Sequence, residues 1–164
     1  MTQQAVPDSA SSSPPVSNKR HGVATEFTLV VPLKPGAADR IRAMMKMVDP
    51  ASIGDLGTIH EARAGIFDND TKLLFASTFD GSWDNYIDDF AAKSKAKVLL
   101  DKIFEEAESG DYPGLNSPEV KGWVAKHQID VVLYSLDSSD ATAKRVKKSL
   151  RVLNAFDEIL DAAG

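Results

Sequence analysis

The stretch LLFASTFDGSWDNYIDDF, Leu73 to Phe90, changes its hydrophobic period in mid-course. Leu73 to Thr78 is a run of apolar and small residues of the kind that forms a strand. Asp80, Gly81 and Ser82 interrupt the pattern. Trp83, Tyr86, Ile87 and Phe90 then fall at i, i+3, i+4 and i+7, one face of a helix. Ser82 is placed to cap that helix, and Asp84 suits the positive end of its dipole. A strand that turns so sharply into an amphipathic helix restricts the chain to folds in which helices lie against a sheet.

The same vocabulary recurs along the chain. EFTLVVPL, Glu26 to Leu33, reads as a first strand ended by Pro35-Gly36. Ile41, Met44, Met45 and Val48 form a helical face, stopped by Asp49-Pro50. TIHEARAGIF, Thr58 to Phe67, is a second strand and Lys72 to Thr78 a third. The Asp68-Asn69-Asp70 turn between them predicts an antiparallel hairpin. From Ala96 to Ala107 a further helix pairs Leu99 with Ile103 and Leu100 with Phe104. Gly110, Pro113 and Gly114 mark a loop. Ser117-Pro118 opens a short helix with Val120, Trp123, Val124 and His127 on one face. IDVVLYS, Ile129 to Ser135, reads as a fourth strand. Ser138 or Ser139 opens a last helix through Ala162, with a stripe of Val146, Leu150, Leu153 and Leu160 widened by Val152, Phe156 and Ile159.

Without the small extra helix and the C-terminal helix the order is βαββαβ. This predicts an α+β, ferredoxin-like fold with a four-stranded antiparallel sheet and its helices on one face. Both sheet faces carry apolar residues: Phe27, Leu29 and Val31 on one side of the first strand, Val30 on the other; Val131 and Leu133 against Val132 and Tyr134 in the fourth. Two apolar faces predict burial on both sides. With the helices committed to one face, a second copy is the simplest cover for the other. The expectation is a homodimer packed sheet to sheet.

Composition narrows the function classes. A chain of 164 residues suggests one domain, and 43 % hydrophobic residues suffice for a core. A formal charge of −5 gives no general attraction to nucleic acid or to an anionic membrane. There is no cysteine, which excludes disulfides, thiolate catalysis and cysteine-ligated metals, and leaves a cytoplasmic location as the expectation. No apolar run has the length of a membrane span. Residues 1–24, rich in Ser and Pro, read as a disordered tail without the apolar centre of a secretory signal, ahead of a domain over 25–164.

GTIHEARAGIF, Gly57 to Phe67, places a His-x-x-Arg strand ahead of the strand that ends in Asp80-Gly81 and the aromatic, acidic helix after it. In this the chain resembles the dimeric α/β-barrel superfamily. That group includes antibiotic-biosynthesis monooxygenases, chlorite dismutases, dye-decolourising peroxidases and stress-responsive barrels. Within it, the chain is most similar to a bacterial subgroup related in fold to the monooxygenases. The resemblance extends over residues 25–162 as topology and implies fold more than reaction. It implies a cavity between sheet and helices that holds a small apolar or aromatic ligand, with cofactor-independent oxygenation or isomerisation as the reaction. A haem-binding or peroxidase-like protein and a non-catalytic dimeric interaction protein are the alternatives.

His60, Arg63 and Asp80 are the candidate catalytic residues. An imidazole is an acid or base near neutral pH, a guanidinium holds a carboxylate or developing oxyanion, and a carboxylate at a strand end can act as a base. In a regular strand His60 shares a face with Ala62, Ala64 and Ile66, and Arg63 shares the other with Glu61. Only a bulge or a strand end joins them. The small Ala62 and Ala64 leave room for a ligand. Phe79, Trp83, Tyr134 and His127 are the candidate ligand contacts. Each candidate also has a structural account: a hydrogen-bonded His60 beside a surface Glu61–Arg63 pair, an Asp80 that accepts backbone N–H groups, a His127 that closes a helix, and aromatics that fill the core. No cofactor is expected on balance. Haem would take His127 or His60 as axial ligand. Ser77 to Gly81 departs from the Gly-x-x-Asp-Gly motif of the peroxidases by placing Ser77 at its first glycine. Three scattered histidines predict no dedicated metal site, and His21 falls in the tail.

Overall fold

The computed structural model describes residues 19–49, 56–93 and 97–163. A two-residue strand β1 (Arg20–His21) precedes three long strands, β2 (Ala24–Pro32), β3 (Ile59–Phe67) and β4 (Lys72–Asp80). They form an antiparallel sheet in the order β1-β2-β4-β3. The described helices are α1 (Ala37–Met45), α2 (Trp83–Lys93), α3 (Lys97–Phe104), α4 (Val120–His127) and α5 (Ala143–Ala163). The molecule is α+β, as the pattern predicts. The Asp68-Asn69-Asp70 link closes the β3–β4 hairpin with all three residues left-handed, at φ 54, 52 and 67. Asn and Asp tolerate that region better than other residues with a Cβ.

Alternation sorts the strands into two faces. Phe27, Leu29 and Val31 of β2 and Leu73, Phe75 and Phe79 of β4 turn toward α1–α4 and are buried there. Phe79 stacks on Tyr86 at 3.9 Å, and Phe27 meets the same ring edge-on at 5.5 Å. Burying one such side chain stabilises by roughly 1.5–3 kcal/mol. At the β4–α2 corner the Ser82 hydroxyl accepts the Asn85 N–H at 3.3 Å, so Ser82 caps α2 as expected. Gly81 takes φ 94, which a residue with a Cβ adopts only under strain. Asp101 anchors the loop between α3 and α4 by accepting the Tyr112 hydroxyl at 2.7 Å and the Leu115 N–H at 2.8 Å.

The second face of the sheet departs from expectation. It is polar at its centre, where Glu26, Thr28 and Thr78 are buried, and its apolar residues include Val30 and Leu74. The sheet has four strands, but the fourth is not the expected one. Over 129–135 the backbone is irregular; among the described residues its backbone pairing with β2 consists of the Gln128–Leu29 bridge and the Ile129 N–H donated to the Thr28 carbonyl at 3.0 Å. Farther along that edge β1 already pairs with Thr25 and Ala24. The segment crosses the second face instead, burying the Tyr134 hydroxyl beside Thr78 and leaving Val132 and Leu133 94 % and 82 % exposed.

The chain ends differ too. Residues 1–18 of the expected tail, and Ala96 at the start of the third expected helix, lie outside the described residues. Arg20–His21, however, belong to the sheet, ahead of residue 25. His21 is not idle, since its Nδ1 accepts the Leu136 N–H at 3.0 Å. Val23 donates to the Ser139 carbonyl at 2.8 Å, and a Cβ on Gly22 would stand 2.0 Å from that same oxygen. The last helix starts at Ala143, later than the expected Ser138 or Ser139, after turns over 137–140 and a Thr142 hydroxyl that accepts the Arg145 N–H at 3.2 Å.

Candidate functional site

On the helix-facing side the sheet and helices leave an apolar cavity of about 220 Å³. Its walls include Ala62 and Ala64 of β3, Phe75 of β4, Phe90 of α2, and Leu100 and Phe104 of α3. The space arises because β3 presents alanines where β2 and β4 present larger side chains. A surface groove of about 500 Å³ adjoins it, flanked by Arg42 and Lys46, with Met45, Ala64 and Leu73 common to both.

His60 does not border this cavity. The pairing of β3 with β4 slips between Ile59 and Glu61, so His60 is the extra residue of a β-bulge. A bulge re-aims a side chain locally. It takes His60 off the face of Ala62 and Ala64 and brings it to the carboxylate at the end of β4. His60 Nε2 and Asp80 Oδ1 lie 2.8 Å apart, with the side chains 7 % and 13 % exposed. The other Asp80 oxygen accepts the Ala143 N–H at 2.8 Å, the first residue of α5. Asp80 thus fixes an imidazole with one oxygen and a helix start with the other. Such a pair can relay a proton in principle, but at this burial there is little room for a substrate beside it.

The polar surroundings complete the second face. Burial raises the Glu26 carboxyl above its usual range, with the Thr28 hydroxyl it accepts pulling the other way. The Tyr134 hydroxyl is raised by burial and by the charges of Glu61, Glu26 and Asp80, and has no hydrogen bond of regular geometry despite Thr78 beside it. His60, Asp80 and Tyr134 therefore share this face. Arg63 does not join them; its guanidinium pairs with the Glu61 carboxylate at 3.2 Å, both well exposed. Of the other expected contacts, Phe79 is core packing against Tyr86, and the Trp83 indole N–H is buried without a partner. His127 is buried on α4, where its Nδ1 donates to the Trp123 carbonyl at 2.9 Å and its ring lies 4.2 Å from that of Trp123.

Neither His60 nor His127 borders the cavity, so the residues present do not fit a haem ligated there. Among the described residues no group of three or more His, Asp or Glu side chains is placed to hold a metal ion. Glu26 escaped the sequence reading, although an acid in an otherwise apolar strand is a visible signal. The slip that moves His60 has no such signal. Comparison with family models, with curated proteins and with solved structures finds no match to this chain.

Proposed function

We propose that the protein binds a small apolar or aromatic molecule in the cavity between its sheet and helices. The cavity itself carries the reading. Its volume of about 220 Å³ lies between the roughly 150 Å³ of an apolar cavity that takes up benzene and the about 300 Å³ at which drug-sized pockets begin. Apart from Arg63, no described residue lining it is an acid, a base or a nucleophile, which supports holding a ligand over transforming one. The fold reading goes with it. The strand order, the β2-α1-β3-β4-α2 succession and the bridge of Gln128 to the edge of β2 support a ferredoxin-like arrangement with its last strand reduced to a single contact.

Titration with 1-naphthol, followed by its fluorescence, tests the proposal. The native protein binds it at one saturable site. Ala62→Leu, which fills the cavity from β3, abolishes that binding and leaves the melting temperature unchanged or higher. Absence of binding, or binding that survives Ala62→Leu, sinks the reading.

A further inference from the structure

Among the described residues, the largest exposed apolar face belongs to α5. Ala143 is buried and Val146 half-buried, but every residue from Lys147 to Ala162 is exposed. Leu150, Val152, Leu153, Phe156, Ile159 and Leu160 are each 54–65 % exposed. Helices of this length draw most of their stability from packing an apolar face, so a face of this size implies a partner. Six such side chains from each of two copies amount to roughly the 1,000 Å² that a specific interface needs.

We propose that α5 is an assembly arm that pairs antiparallel with α5 of a second copy of this chain. Charge decides the orientation and the partner. The first half carries Lys144, Arg145, Lys147, Lys148 and Arg151, and the second half Asp157, Glu158 and Asp161. An antiparallel partner sets each basic half against an acidic half, whereas a parallel one sets like against like. A two-fold axis across the helix pair makes the contact self-complementary and closed. An anionic bilayer would attract the basic half and repel the acidic one, and the chain as a whole carries −5. The root of the arm is firm, because Asp80 and Thr142 both accept N–H groups of its first turn. The proposed interface lies on the helix. The sheet face, which the sequence nominates, is partly covered by the chain's own residues around Tyr134.

Sedimentation equilibrium of the full chain tests this. The native protein is a dimer, and Leu153→Asp with Leu160→Asp weakens the dimer about tenfold or more while near-ultraviolet circular dichroism shows the core intact. Two charge-reversed variants sharpen the test. One carries Lys144→Glu, Lys148→Glu and Arg151→Glu; the other carries Asp157→Lys, Glu158→Lys and Asp161→Lys. Each alone is monomeric, and an equimolar mixture forms the dimer. A monomeric native protein overturns the proposal, as does a dimer indifferent to the aspartates or a mixture that stays monomeric. A monomer that co-sediments with phosphatidylserine–phosphatidylcholine vesicles and loses this with Leu153→Asp assigns the arm to a membrane and overturns the proposal equally.

Discussion

The two faces of the sheet come from the same strands, one residue out of step, and are built to opposite specifications. Phe27, Leu29 and Phe75 face helices and border or surround apolar space. Glu26, Thr28 and Thr78, at the alternate positions of the same strands, are buried among polar groups, with His60, Asp80 and Tyr134 on the same side. Room for a ligand lies on the first face; the acid–base groups lie on the second. A ligand in the cavity is therefore separated from His60 by the sheet itself. The difference teaches that a strand serves two environments at once, and that candidate catalytic residues and a candidate pocket found in one segment need not meet.

Breaking the apolar face carries the largest effect. Phe27→Ala removes a buried ring and leaves a cavity, at a cost of about 3–5 kcal/mol, read as a lower urea midpoint. Asp80→Ala comes next. It removes an N–H acceptor at the root of α5 and the partner of His60, together costing about 2 kcal/mol. Asp80→Asn keeps an acceptor oxygen and recovers part of this. If the two faces are independent, both Asp80 variants bind 1-naphthol as the native protein does; a change in that affinity would couple them.

The smallest effect depends on pH. Burial raises the Glu26 carboxyl above its ordinary value of 4.5, so the folded protein favours the protonated form. The stability contributed by that proton is full below the unfolded value and is lost as the pH rises through the folded one. Glu26→Gln, which is neutral throughout, therefore raises the melting temperature by a few degrees at neutral pH, and the gain vanishes below pH 4.5. An equal gain at both pH values shows that the second face is not sensitive to this charge.

Much of the architecture is legible in residue patterns. The three long strands follow from runs of β-branched, aromatic and small residues, the β3–β4 turn from Asp68-Asn69-Asp70, and the corner at Asp80 from Gly81 and the Ser82 cap. Asp80 and His60 are both visible as candidates, but their meeting depends on a slip of one residue at Ile59, which no residue type announces. Ile129 to Ser135 has a strand's composition and fails as a strand because β1 occupies part of the edge it would join, a fact of tertiary competition. The stripe on α5 is read correctly as apolar. Periodicity identifies such a face, but it does not say that the chain's own core leaves it open.

Gly22 has a consequence for the order in which the molecule is made. The close approach of its turn to Ser139 and the Leu136 N–H bonded to His21 close a loop of 115 residues. Loop closure of that length costs entropy before any contact repays it, so this clasp forms late. Opened, it frees both segments together, and the amides of Val23 and Leu136 exchange with solvent at a common rate, ahead of those in the middle of β2. Every described residue of the cavity wall precedes Leu115, so a chain emerging from the ribosome completes the part that encloses the cavity first. The direction of α5 is set only when the two ends meet. If α5 is the proposed assembly arm, recognition of a second copy is thereby deferred until the first is folded.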